Sequence, residues 1–313
     1  MLSISDIALG TVQVLVLMAL SPLLTGIMRK TKARTQKRVG AGILQPYYDI
    51  EKLLRKDEVV SDQASWIFRV SPWVNFVAIV TAAFFIPVFL ANSPFGLIGD
   101  LLLVVGLFSL ARFFTMLAGL DVSSTFGGLG SSREMMISAL LEPAVFLAIF
   151  VVAITYGGTS LSTIVESASN SAVLPHPQLI FAAIAMFVVM LGETGRLPFG
   201  NHETHLELTM VHEAMALEYS GKSLALMEWS QSIKQILLFA LIANIFVPWG
   251  MASSASPYSI GIGMATFVIK VAALAVGVAF LESSVAKWRL FRLPDLVAIA
   301  IASSMIGLAF YYL

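Results

Sequence analysis

The sequence predicts an all-α, polytopic membrane protein: eight transmembrane helices plus a short cytoplasmic amphipathic helix, in a single integral membrane domain over residues 1–313. Three observations predict it. The chain is 58% hydrophobic and only 12% charged, whereas a soluble domain carries roughly 25% charged residues. Its mean hydropathy is +0.87. Apolar runs recur at about the 20-residue length that crosses a bilayer, and the basic residues between them fall in alternate connections.

The runs place the eight spans at about 4–28, 71–91, 97–119, 134–156, 177–192, 229–249, 260–281 and 295–312. The fifth is short, with a helix start expected near Pro175 or Pro177. The first run has no basic leader and no small-residue cleavage pattern, so it is expected to stay in the fold. Ten of the 19 basic residues (Arg29, Lys30, Lys32, Arg34, Lys37, Arg38, Lys52, Arg55, Lys56 and Arg69) lie between spans one and two. Arg133, Arg196, Lys222, Lys287, Arg289 and Arg292 occupy the other connections of the same side. Lys and Arg resist translocation, so loops 29–70, 120–133, 193–228 and 282–294 are expected in the cytoplasm and both termini on the outer face. In a prokaryote this is the inner (plasma) membrane.

Charge and composition exclude several functions. The 19 basic and 19 acidic residues cancel, so no basic field draws nucleic acid. Cysteine is absent, and with it any thiolate for iron–sulfur clusters, zinc or disulfides. No P-loop, dinucleotide glycine fingerprint, nucleophile elbow or metal-ligand cluster occurs, so redox centres would belong to other subunits.

The cytoplasmic loops carry the information. Over 47–56, Tyr47, Ile50, Leu53 and Leu54 share one helical face and Asp49, Glu51, Lys52, Arg55 and Lys56 take much of the rest. That is an interfacial helix, lying on lipid headgroups or under a partner. Ser131 with Glu134 three residues later reads as a capping box opening span four. Pro198, Gly200 and Asn201 break the chain after span five, and Asn201 is expected to cap a helix over roughly 202–218. The outer connection 157–171 is rich in Ser, Gly and Thr and is expected to be a loop.

Five glutamates, Glu193, Glu203, Glu207, Glu213 and Glu218, crowd into 193–221 with Arg196 as the fixed cation and Lys222 just beyond. Crowded carboxylates near a membrane can hold protons near neutral pH, which suits proton relay. The alternative is a solvated acidic loop contacting basic partner residues. His202, His205 and His212 share the stretch, but the spacing is His-Glu-x-His, not the spacing that sets two imidazoles one turn apart. Hydrogen-bonding partners of the carboxylates fit better. Arg112, Glu142, Lys234 and Lys270 lie within or near the spans, where an ionisable group faces the bundle interior and pairs, or snorkels from a helix end.

Four motifs then resemble a known family: RVGAGILQPYYDIEKLLRKDEV at 38–59, GSSREMMISALLEP at 130–143, ETGRLPF at 193–199 and LEYSG at 217–221. In order and with the spans, they resemble the H-subunit family of respiratory complex I, in the branch of membrane-bound [NiFe] hydrogenases and formate hydrogenlyase-type complexes. Complex I members usually read P-F-D-L after the arginine, whereas Pro198-Phe199 is followed here by Gly200-Asn201. They also carry a longer insert before L-Q-P, where Gly40-Ala41-Gly42 runs directly into Ile43-Leu44-Gln45-Pro46. Both departures point to the hydrogenase branch, and the aspartate missing at 200 removes any role the family gives that carboxylate.

The resemblance implies a non-catalytic membrane subunit that docks a soluble redox arm and couples electron transfer to proton or ion translocation. It implies a proton path over Glu142, Glu193, Glu203, Glu207, Glu213 and Glu218, tuned by Arg112 and Arg133. It implies docking by Arg38, Gln45, Asp49, Lys52, Arg196, Pro198, Phe199 and Tyr219. Cofactors are expected to be absent from this chain, with iron–sulfur clusters, and nickel–iron where the ligands are retained, in partner subunits. The implied partners are a cluster-bearing small subunit and a hydrogenase-like large subunit on the cytoplasmic side, antiporter-like membrane subunits, and lipid. Two other readings stand beside it: the quinone-site member of an NADH:quinone oxidoreductase, and a pure membrane anchor that moves no ions.

Overall fold

A computed structural model describes residues 4–90, 99–170, 176–200, 211–252, 256–286, 288 and 290–313. Among the described residues eleven α-helices follow one another: α1 (Ile4–Thr35), α2 (Gln45–Leu54), α3 (Trp66–Phe85), α4 (Leu101–Asp121), α5 (Thr125–Tyr156), α6 (Leu161–Asn170), α7 (Pro177–Glu193), α8 (His212–Ala216), α9 (Gly221–Phe246), α10 (Pro257–Ser284) and α11 (Leu293–Tyr312). No sheet occurs among the described residues, only two isolated bridges, Leu90 with Ala252 and Asp100 with Ser160. The architecture is all-α and polytopic. Among the described residues seven helices (α1, α3, α4, α5, α9, α10 and α11) are long and apolar enough to cross a membrane. The remaining expected span, α7, has 17 residues and stops short of that length.

The described polar loops are shorter than expected, because backbone hydrogen bonding carries the helices past the apolar runs. α1 continues to Thr35, and α9 begins at Gly221, eight residues before the apolar run. The largest correction concerns α5. Its N-cap is Ser124, whose side chain accepts from Gly127 N, so the helix starts at Thr125 and absorbs most of the expected loop 120–133. Ser131 and Glu134 therefore form no capping box. Ser131 Oγ donates to Met116 O at 2.9 Å, and Glu134 turns inward. A second correction is α6, a helix inside the expected loop 157–171. Its apolar residues Leu161, Ile164, Val165 and Ala168 recur at i, i+3, i+4 and i+7 and are buried, packed on α5 and α9.

α9 is the axis of the bundle: 83% of its apolar window is buried within the chain, against 28% for α10. α1, α3 and α10 pack around it, α2 lies across α1 and α9, and α4, α5, α7 and α11 complete the other side. Large apolar side chains such as Phe150, Ile184, Ile269 and Phe280 point outward, as lipid-facing surface does. α2 forms where the spacing predicts an amphipathic helix, with Pro46 in its first turn and Ile50 buried against its own chain. Of the helix expected over 202–218, residues 202–210 lie outside the described residues, as does its expected cap Asn201, and the remainder forms α8 and a turn.

Candidate functional site

α7 ends inside the protein, and the site is built on that end. Glu193 is its last residue, and the following turn, Thr194 to Gly200, is buried except for a partly exposed Arg196. Gly195 takes φ +61°, and the Leu197–Pro198 bond is cis. A Cβ on Gly200 would lie 2.3 Å from Gly195 O, so this turn closes only with glycine at 200. Irregular backbone at such depth is tolerated because it is buried in protein.

Around Glu193 four helices deliver opposite charges. Arg112 from α4 forms an ion pair with Glu193 and donates to Ser138 Oγ of α5 at 2.7 Å. Its Nε lies 3.8 Å from Glu134 Oε1. Lys234 of α9 places Nζ 2.8 Å from Glu193 Oε2. His212 of α8 brings Nε2 to 3.7 Å from Glu134 Oε2, an oxygen with no hydrogen-bond partner among the described residues. Arg112, Glu134, Glu193 and Lys234 are all at most 7% exposed. Two cations face two anions, the balance that makes buried charge tolerable.

A second row begins three residues on. Arg196 donates to Gln235 Oε1 at 2.9 Å and sits 3.3 Å from Glu282 Oε1 of α10, whose other oxygen is 3.5 Å from Lys32 Nζ of α1. Lys234 and Gln235 are neighbours on α9, so the two rows meet there. A cavity of about 430 Å³ opens onto both, lined by Arg112, Thr194, Arg196, His212, Glu213 and Lys234 among others. A second cavity of about 400 Å³ is lined by Arg29, Lys32, Arg38, Arg196 and Glu282 among others. Such a path of paired charges along a cavity can hold and shift a proton or respond to a charge placed nearby.

The residues expected to act thus separate. Arg112 and Glu193 come together. Glu142 is half-buried on the same face of α5 as Glu134 and Ser138, within Coulomb range of Arg112. Glu213 lines the large cavity, while Arg133 and Glu218 are half-buried outside this row. Glu203 and Glu207 lie outside the described residues. Among the docking candidates, Arg38, Gln45 and Lys52 are exposed. Gln45 donates to Asp49 Oδ1 at 2.9 Å, and Asp49 lies 3.7 Å from Arg29. Arg196, by contrast, is engaged inside the chain, and Pro198 and Phe199 are buried beside it. Tyr219 is internal too: its ring stacks on Phe68 at 4.0 Å, and its hydroxyl donates to Phe68 O at 2.9 Å. Burial pushes the Tyr219 phenol well above its ordinary pKa, which keeps it a neutral donor.

Glu134, Lys32, Gln235 and Glu282 are site residues that sequence reasoning missed. For Glu134 the signal was present, since Glu134, Ser138 and Glu142 recur every four residues along an otherwise apolar helix. Nothing local marks Glu282, whose partners come from α1 and the turn after α7. Among the described residues, no three His, Asp or Glu converge as a metal site.

The family model described as NADH dehydrogenase matches residues 7–312. The chain belongs to that family, the complex I H-subunit family. It is 35% identical over 283 residues to formate hydrogenlyase subunit 4 of Escherichia coli (strain K12), covering 90% of this chain and 91% of that protein. Hydrogenase-4 component C of the same organism is 35% identical over 280 residues, covering 88% and 87%. The NADH-quinone oxidoreductase H-subunit of Paraburkholderia phymatum is 31% identical over 225 residues, covering 67% and 62%. A chain of the membrane-bound sulfane sulfur reductase, an archaeal respiratory membrane complex, superposes with a TM-score of 0.84 at 21% identity, covering 97% of this chain and 100% of that one. At that identity the likeness is one of fold.

Proposed function

We propose that this family member is the membrane subunit of a complex I-like, hydrogenase-type complex, and that its buried row of charges couples electron transfer to proton or ion translocation. The observation that carries the proposal is the set Glu134–Arg112–Glu193–Lys234, balanced two against two, with Arg112 and Lys234 lining a cavity. A proton taken up by Glu193 would leave Arg112 and Lys234 with one anion between them. The resulting excess of positive charge would be relieved by moving charge along the row. Electrons arriving at a cluster above the cavity would bias that step.

In this reading α7 is the eighth crossing, made possible by the buried turn that follows it, and both termini face outward across a prokaryotic inner membrane. Exposed Arg38, Gln45 and Lys52 form the platform for a cluster-bearing small subunit and a hydrogenase-like large subunit, which hold the iron–sulfur and any nickel–iron centres. Arg196, Pro198 and Phe199 shape that platform from beneath, and antiporter-like subunits flank the chain in lipid. Coverage of about nine-tenths at 35% identity supports the formate hydrogenlyase and hydrogenase-4 branch over the NADH-quinone oxidoreductase branch, whose member aligns over 67% of the chain.

The test is pumping by vesicles carrying the purified complex. Glu193→Gln and Glu142→Gln keep shape and hydrogen bonding while removing the titrating proton. Both are expected to preserve assembly and to lower ion translocation more than electron transfer to an artificial acceptor. Full pumping by the double variant would leave the chain as an anchor. The cavity of about 430 Å³ favours one second reading, a quinone site, and bound quinone extracted from the purified complex would establish it.

A further inference from the structure

Lys270 stands apart from every charged group so far described. It is residue 14 of the 28 in α10, so at 1.5 Å per residue it lies about 20 Å from either end of the helix. Half of a bilayer's hydrocarbon core is about 15 Å, and a four-carbon stem spans only part of that distance. Glu282, the next charge along α10, belongs to the inner row twelve residues on. Among the described residues Lys270 forms no hydrogen bond and no ion pair, and it is half exposed on the surface of the bundle.

The surface around it is suited to another helix. α10 is the crossing least covered by its own chain, with 28% of its apolar window buried. Ala273 and Gly277, one and two turns beyond Lys270, are exposed, and small residues let a neighbouring backbone approach closely. An ammonium at this depth faces an ionised or polar partner or distorts the bilayer, and none comes from the described residues of this chain.

We propose that Lys270 marks the contact of α10 with a transmembrane helix of a neighbouring subunit, which presents an aspartate or glutamate carboxylate to the ammonium. The inference rests on the chain's being one subunit of a larger membrane complex. Charge complementarity selects the occupant: a helix without a carboxylate at that level leaves the ammonium as costly as lipid does.

The experiment uses the assembled complex in its membrane. Dicyclohexylcarbodiimide, which partitions into lipid, joins an amine to an adjacent carboxylate as an amide with loss of the urea. Mass spectrometry is expected to find Lys270 linked to an Asp or Glu within an apolar segment of another chain. Lys270→Met suits a membrane helix and is expected to leave the soluble arm bound while the amount of one membrane subunit in the purified complex falls several-fold. Lys270→Arg is expected to retain it. Labelling of Lys270 by phenyl isothiocyanate in the intact complex, together with unchanged subunit composition in Lys270→Met, would overturn the inference and leave a lipid-facing lysine. If no other subunit co-purifies with the wild-type chain, the parent reading fails first and this one with it.

Discussion

Arg112 is the residue that three others depend on. Its guanidinium meets Glu193, Ser138 and Glu134 at once, from α4 into α7 and α5. A planar fork can serve several acceptors where an ammonium acts as a single point charge. Arg112→Met would leave Glu134 and Glu193 to share Lys234 and a half-buried His212, and an uncompensated buried charge costs about 3–5 kcal/mol. The expected outcome is a markedly lower Tm of the purified complex, with Arg112→Lys falling between variant and wild type. Unfolding of Arg112→Met at the wild-type temperature would show that the ion pairs contribute nothing to stability. Lys234 differs in kind. It stands 2.8 Å from Glu193 Oε2 and 5.8 Å from the centre of the Phe108 ring, a point charge paired with one carboxylate where Arg112 serves three acceptors. Lys234→Met is therefore expected to stop ion translocation at a smaller loss of stability than Arg112→Met, measured in the same vesicles and by the same melting curve.

Between elements, the segment ahead of α3 is fastened to the start of α9 by short polar contacts. Ser220 Oγ donates to Val59 O at 3.0 Å, Ser223 bonds Glu58, and Tyr219 stacks on Phe68. Gly221 makes the approach feasible: it takes φ +52°, and a Cβ there would sit 2.6 Å from Asp57 O. Gly221→Ala is accordingly expected to lift residues 57–65 off α9 and to raise their rate of limited proteolysis, with no change at Gly42→Ala, where a Cβ meets open space. The motif around Tyr219 thus acts first as a fastener. Such elements were legible in the sequence to different degrees. α2 was plain, because Tyr47, Ile50, Leu53 and Leu54 repeat at helical spacing. α6 was hidden, because its serines and threonines mask an apolar i, i+3, i+4, i+7 pattern. The start of α5 was misplaced, because Ser131 and Glu134 imitate a cap that Ser124 supplies. Within the site, Arg112 and Glu193 stood out as charges in or at the end of apolar runs. Glu282 and Lys32 did not, since their pairing joins the two ends of the chain and no local pattern encodes it.

At the scale of the whole molecule, the open quantity is the number of crossings, and α7 decides it. Seven helices meet the length for spanning, and α7 has 17 residues, about 25 Å at 1.5 Å per residue. That nearly matches a hydrocarbon core of about 30 Å, and the buried turn through Gly200 supplies the rest of the depth. Charge distribution agrees with a crossing: basic residues occupy the connections after α1, α7 and α10, Arg133 lies early in α5 just beyond the short connection after α4, and no Lys or Arg lies in the connections after α3, α5 and α9. If α7 did not cross, Arg196 and Lys222 would share a side with the connection 157–176, which holds no Lys or Arg, against the resistance of Lys and Arg to translocation. Paired reporter fusions separate the two arrangements. One reporter belongs after residue 41, in the exposed segment between α1 and α2, and the other after Leu313. With eight crossings the two sites are separated by seven spans and fall in opposite compartments, the first cytoplasmic and the second outside. With seven they are separated by six and fall in the same compartment. Opposite compartments are the expected outcome, and a shared compartment would remove α7 from the bilayer and set the Glu193 row at its edge.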